Sequence, residues 1–259
     1  MTMHNSHKRR LANQMMTRPL PLYDDNFPII FFWNPKCGCT SLIKWFFYQN
    51  GLLQTAKDYD EIIHTYRIKV FEQQKNHTNK IRKHLLNGTK DVYKLVRNPY
   101  TRAVSSYFHT LRTPRILNRL APGMDQGLSF KQFLYRVRNK GVERGNIDGH
   151  MIQQYLDGEE MFIKNVIQLE EFTPSIKKIE KTYQLNPSPL DEIIRSPHHV
   201  TEKMNSRDNR NFANMRLTSM SFYQSLPPYE NFYDQDTMNL VRTIYQKDFI
   251  QYGYDQRKI

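Results

Sequence analysis

The residues best suited to chemistry fall in one short loop, Asn34-Pro35-Lys36-Cys37-Gly38-Cys39-Thr40-Ser41, set between an apolar run and a second run with helical spacing. Such a loop is a ready anion site. The first turn of a helix leaves backbone N–H groups without intrahelical partners, and its dipole favours negative charge. Lys36 adds a cation, Thr40 and Ser41 add hydroxyl donors, and Gly38 lets a ligand come close to the backbone. A second pair, Arg97 and Ser105, stands at the end of another apolar run and in the segment that follows it.

The elements that must position these residues follow from the pattern. Residues 27–33, apolar except for Pro28, read as an interior strand of a parallel sheet. Leu42, Ile43, Trp45, Phe46 and Phe47 predict a buried helix starting near Cys39 or Thr40 and stopping at Gly51. Between residues 58 and 86 the apolar positions predict one or two helices, ended by Asn87-Gly88. Residues 92–96 predict a short strand, Asn98 an N-cap and Pro99 a first helical residue, with Val104, Tyr107 and Leu111 as the apolar stripe. An irregular stretch over 113–127 precedes an amphipathic helix carrying Phe130, Phe133, Leu134 and Val137. A glycine-rich connection over 141–149 leads to His150 and an apolar helix start. Residues 162–169 read as another strand, Thr173-Pro174 as the next helix start, and Leu240, Val241, Ile244, Tyr245 and Phe249 as a final helical face.

At 259 residues the chain predicts residues 1–24 as a basic N-terminal arm and 25–259 as one α/β domain. A hydrophobic fraction of 39% with 13% aromatics is sufficient for a real core, so disorder is not the default expectation. Thirty-eight Lys and Arg against 25 Asp and Glu give +13, so the partner expected is an anionic ligand, nucleic acid or an acidic polymer. Cys37 and Cys39, one residue apart, read as free thiols that favour a reducing compartment and are too few for a structural zinc. No run approaches the ~18 apolar residues of a membrane span, and the first residues lack the apolar core of a secretory signal. A soluble cytoplasmic protein is expected, or a protein of the Golgi lumen if a membrane anchor is missing from this chain.

In the nucleotide-kinase loop the lysine follows the second glycine, whereas Lys36 precedes Gly38 by two residues, which argues against a kinase. The segment from Pro35 to Ser41 resembles instead the 5′-phosphosulfate loop of sulfotransferases, P-K-x-G-[TC]-[TS]-[SN], and meets it at every position. Its Gly-Cys-Thr form is most like the carbohydrate sulfotransferases of the HNK-1 and chondroitin type. Val96 to Tyr107, VRNPYTRAVSSY, resembles the 3′-phosphate motif of the same family, and Tyr245 to Tyr254 its C-terminal helix.

The resemblance implies a P-loop-like three-layer fold, a central parallel β-sheet flanked by helices. It also implies transfer of a sulfuryl group from 3′-phosphoadenosine 5′-phosphosulfate to a hydroxyl, without a metal. Lys36, Cys37, Gly38, Cys39, Thr40 and Ser41 would hold the phosphosulfate, with Lys36 also catalytic, and Arg97 and Ser105 would hold the 3′-phosphate. Lys203 and Arg207 would either close over the nucleotide or face solvent. The general base would be a histidine, a group suited to work near neutral pH. His150 comes first, since relatives carry a histidine followed closely by a glutamine and Gln153 and Gln154 follow here; His64 comes second, with Asp148, Glu170 and Glu171 as acidic alternatives. The acceptor expected is a carbohydrate or other hydroxyl-bearing molecule, the basic surplus suiting an acidic glycan, with no nucleic acid partner and no stable membrane insertion. The competing readings are a nucleotide or polynucleotide kinase and a non-enzymatic binder of nucleic acid or acidic glycan.

Overall fold

The computed structural model describes residues 2–17, 19–124, 126–194, 209–222 and 226–259, with backbone alone for 2–5. The chain divides into two compact units, Met1–Val96 with Leu156–Pro197, and Arg97–Tyr155 with His198–Ile259.

In the first unit, β1 (Ile29–Trp33), β2 (Asp91–Val96) and β3 (Asn165–Gln168) form a parallel sheet in that order. Its register pairs Trp33 with Leu95 and Leu95 with Ile167. Helices cover both faces: α1 (Thr2–Met15), α2 (Cys39–Gln49), α3 (Leu53–Tyr59), α4 (Ile63–Lys69), α5 (His77–Asn87), α9 (Phe172–Thr182) and α10 (Leu190–Ile194). The layering follows from the two-residue period of a strand, which sends alternate side chains to opposite faces. Ile29, Phe31 and Trp33 pack with Leu42, Trp45 and Phe46 of α2 and Ile176 of α9. Ile30 and Phe32 pack with Leu11, Ala12 and Met15 of α1 and Ile81 and Leu85 of α5. All of β1 is therefore buried, and this is why its sequence shows an unbroken apolar run rather than an alternation.

Where an arm was expected, residues 2–15 are helical, because Leu11, Ala12, Met15 and Met16 share one face and bury it. The stretch over 58–86 holds two helices, α4 and α5, as expected, and α3 precedes them. Asp60 is extended and accepts from the Ile62 amide at 2.7 Å, and Asn76 turns with φ 61°, each starting a new helix. The third strand is shorter than residues 162–169. Inside the unit, Lys94 of β2 is buried and paired with buried Glu159 at 2.6 Å.

In the second unit, α6 (Pro99–Arg112), α7 (Pro114–Leu120), α8 (Phe130–Lys140), α11 (Gln235–Ile244) and α12 (Gln246–Tyr252) share an aromatic core built on Tyr107, Phe108, Phe130, Phe133 and Phe232. Asn98 caps α6, accepting from the Tyr100 amide at 2.9 Å, with Pro99 as the first helical residue. Ser129 and Gln132 close a capping box on α8. α7 occupies the first half of the stretch expected to be irregular, and the expected C-terminal helix breaks at Tyr245 into α11 and α12. His150 is followed by turns rather than by a helix. Among the described residues no helix is long and apolar enough to cross a membrane.

Candidate active site

In the first unit the loop leaves the C-terminal end of β1 and enters α2 at Cys39. Lys36 has φ 70° and Gly38 φ 73°, so two left-handed residues within three turn the chain into the helix. A side chain at Gly38 would be strained, and its Cβ would stand 2.3 Å from Cδ1 of Leu169. The Cys37 amide donates to the Asn34 carbonyl at 3.3 Å, and the Ser41 amide donates to the Gly38 carbonyl at 3.1 Å. Gly38, Cys39 and Thr40 thus form the first turn, where amides have no carbonyl four residues earlier in the helix. Ser41 and Cys37 are buried, and both cysteines are free thiols. Asn34, the first residue of that loop, is fully buried, and neither polar atom of its side chain has a hydrogen-bond partner among the described residues. An orphaned amide beside this turn fits an oxygen-rich anion.

α4 brings His64 to the same loop. Its Nε2 is 3.4 Å from Oγ1 of Thr40 and 3.5 Å from Sγ of Cys39. Three residues on, and so on the same helical face, buried Arg67 lays its guanidinium over the Trp33 ring at 4.9 Å and pairs with buried Glu72. The His64 ring also packs on Trp33, with centroids 5.9 Å apart. Burial pushes the Cys39 thiol up, while the charges of Lys36 and Arg67 draw it back. Arg67 was missed in the sequence, although its spacing from His64 was visible there.

In the second unit Arg97 precedes the cap of α6. Arg97, Thr101 and Ser105 recur every four residues, so the latter two share a helix face on the arginine's side. Arg97 Nε donates to Thr101 Oγ1 at 2.9 Å, and one terminal nitrogen donates to the Tyr229 hydroxyl at 2.7 Å. Ser105 is buried two turns into α6. The backbone of Arg97 is held by Gln154: its amide donates to Oε1 at 2.8 Å, and Nε2 of Gln154 donates to its carbonyl at 2.9 Å. Buried Asp248 of α12 in turn accepts from the amides of Gln154 and Tyr155, each at 2.8 Å. Tyr229 gave no signal in the sequence. Asp248 is a defined position of the C-terminal motif, with no contact assigned to it in the sequence.

His150 lies elsewhere in the second unit. Its Nδ1 and Asp148 Oδ1 are 2.6 Å apart, its ring stacks on His109 at 3.8 Å, and its carbonyl accepts from Ser106 Oγ at 2.6 Å. The hydrogen bond to His150 holds the Asp148 carboxyl down at about 2. Glu170 and Glu171 stand between β3 and α9. Lys203 and Arg207 lie outside the described residues. The geometry thus brings Lys36, Cys37, Gly38, Cys39, Thr40, Ser41 and His64 together in one unit, and in the other it groups Arg97 with Thr101 and Tyr229, apart from the His150 cluster. Among the described residues no three His, Cys, Asp or Glu side chains are arranged to hold a metal ion.

A family model described as "Sulfotransferase family" matches residues 22–255. No curated protein and no solved structure matches the chain.

Proposed function

From the premise that the chain belongs to the sulfotransferase family, we propose that it moves a sulfuryl group from 3′-phosphoadenosine 5′-phosphosulfate to a carbohydrate hydroxyl by in-line displacement. The S–O bond to the acceptor forms as the S–O bond to the 5′-phosphate breaks, and the hydroxyl proton passes to a base. The protein must align the two partners and stabilise the charge that develops on the departing phosphate.

The observation that carries this reading is the loop itself, where the turn over Lys36 and Gly38 enters α2 and Cys39 and Thr40 of its first turn meet the imidazole of His64. The amides of this turn, the hydroxyls of Thr40 and Ser41 and the side chain of Asn34 suit the oxygens of a phosphosulfate. Cys37 and Cys39 shape the loop around them. Lys36 supplies the charge that meets the leaving group. Arg97 and Ser105 suit a second phosphate, the 3′-phosphate that separates this donor from adenosine 5′-phosphosulfate. His64 takes the role of base ahead of His150. Its ring already stands within 3.4 Å of a loop hydroxyl, whereas His150 is engaged with Asp148 and stacked on His109. Both units belong to one sulfotransferase domain over 25–259, with 1–24 as its basic N-terminal segment; the family match runs through both units.

The test is calorimetry with 3′-phosphoadenosine 5′-phosphate and AMP, joined to transfer of labelled sulfate to a panel of sugars. The bisphosphate should bind far more tightly than AMP, and equal affinities would remove the donor assignment. For the base, His64→Ala should lower turnover by about 10²–10⁴-fold with donor affinity kept. The reverse ranking of His64→Ala and His150→Ala would return the role to His150.

A further inference from the structure

Arg67 has no role in the steps above, yet it is 4% exposed and lies on the same face of α4 as His64, three residues on. We propose that Arg67, clamped between the Trp33 ring and Glu72, is the positioning residue that fixes the His64 imidazole at the 34–41 loop. The proposal rests on the reading of His64 as the base.

α4 cannot set its own place. It has seven residues, and a helix that short is marginal without tertiary contacts. Ile62, at its N-cap, gives it no side-chain cap. Its buried residues are Ile63, Tyr66 and Arg67. Ile63 and Tyr66 join the apolar cluster around α2, where the Tyr66 ring lies 5.5 Å from that of Phe47. Apolar burial is non-directional, so it holds the helix down and leaves its fine placement loose. Arg67 supplies the direction.

The guanidinium is placed from two sides. Its Cζ lies 4.9 Å from the centroid of the Trp33 ring, and a terminal nitrogen pairs with Glu72 in the short turn Phe71–Gln73, just past the end of α4. The His64 ring packs on the same indole, with centroids 5.9 Å apart. Trp33 is the last residue of β1, immediately before the loop, and its Nε1 has no hydrogen-bond partner among the described residues, so the ring is held by what packs on it. One indole thus ties both the guanidinium and the imidazole to the strand end from which the loop springs. His64 Nε2 then falls 3.4 Å from Thr40 Oγ1 and 3.5 Å from Cys39 Sγ. A buried Arg–Glu pair carries a desolvation cost that apolar residues of similar volume would avoid. What it adds is geometry, because a planar guanidinium stacks on an indole and meets a carboxylate in a fixed orientation. A base needs that accuracy, since a misplacement of about 1 Å can cost about 10²-fold in rate.

The test compares Arg67→Leu/Glu72→Leu with Arg67→Lys. Leucine at both positions removes the pair without leaving a buried charge, so the double variant should melt within a few degrees of wild type and bind 3′-phosphoadenosine 5′-phosphate as tightly in calorimetry. Its kcat, read on the sugar of the panel that takes labelled sulfate fastest, should fall by about 10–100-fold with the KM for the donor unchanged. Arg67→Lys keeps the charge and lacks the planar fork, so its kcat should fall nearly as far. On the full chain without donor, the NOE between the ring protons of His64 and Trp33, assigned by its loss in His64→Ala, should be present in wild type and absent from the double variant. A double variant with wild-type kcat would overturn the proposal, as would a retained NOE, or a fall in kcat matched by an equal loss of bisphosphate affinity. Full turnover in His64→Ala would remove the base reading, and the NOE would still decide whether Arg67 holds the imidazole. Lost turnover in His64→Ala with a normal double variant would remove the clamp alone.

Discussion

Replacing Gln154 by leucine tests whether the arginine of the second unit is held as described. Leucine keeps much of the buried volume while removing three hydrogen bonds: two to the backbone of Arg97 at 2.8 and 2.9 Å, and a longer one to Asp248 at 3.3 Å. A net hydrogen bond is worth about 0.5–1.5 kcal/mol. The two short bonds therefore sum to about 1–3 kcal/mol, and the long one adds little. Gln154 is 1% exposed, but Arg97 is half-buried and water can reach its freed groups, which keeps the loss near the middle, about 2 kcal/mol. That corresponds to a fall of about 4–8 °C in the melting temperature of a chain of this size. Because the backbone that aims the guanidinium is loosened, affinity for 3′-phosphoadenosine 5′-phosphate should fall by about tenfold while AMP binding is kept. Gln153→Leu is the control, since the side chain of Gln153 makes no hydrogen bond among the described residues. Urea unfolding and calorimetry on both variants give the answer. The reasoning is refuted if Gln154→Leu lies within 0.5 kcal/mol of wild type, or if Gln153→Leu does the greater damage.

Asp148→Asn should destabilise the protein in a pH-dependent way. The folded carboxyl is held at about 2 instead of 3.8, so its contribution is present above the unfolded value and is lost as pH falls from about 4 through 2. After allowance for solvent the loss at pH 7 should be about 1–2 kcal/mol and should vanish near pH 2, as followed by unfolding at both pH values. Gly38→Ala forces a side chain into a left-handed position and against Leu169. It should cost about 1–2 kcal/mol from the backbone alone and abolish bisphosphate binding, as measured by thermal denaturation and calorimetry. Lys36→Ala should end sulfate transfer with the melting temperature nearly unchanged, and any retained turnover would contradict its role. Arg97→Ala should weaken the bisphosphate by about 10–150-fold, the size of one charge-assisted contact, and leave AMP nearly unchanged.

The first loop was legible because its geometry is local: strand, turn and helix start are contiguous, and the left-handed Gly38 must sit at its corner. The cap at Asn98 and the capping box at Ser129 were legible for the same reason, since a cap is a contact over two or three residues. What the sequence hid is held by distant contacts. The helix at residues 2–15 looked like a polar arm because only one face, Leu11 to Met16, is apolar, and its partners Ile30 and Phe32 come from a strand read as a unit. That His64 meets Thr40 was hidden because nothing in the chain tells which histidine a short helix will turn toward that hydroxyl. Tyr229 and Asp248 meet Arg97 and Gln154 across separations of 132 and 94 residues, and no local pattern encodes such a meeting.

Asp248 has a further consequence in time rather than in space. It gathers the amides of Gln154 and Tyr155 onto one carboxylate, and Gln154 in turn clasps Arg97. During synthesis Arg97 and the helix α6 that follows it emerge well before residue 248 does, so the arginine can have its neighbour Thr101 long before its backbone is pinned. Contacts of such long sequence separation pay the chain-closure entropy first and are made late. The newborn chain therefore carries the whole 34–41 loop of its first unit while the backbone of Arg97 in the second is still unpinned, and α12, which carries Asp248, sets the moment at which that backbone is fixed.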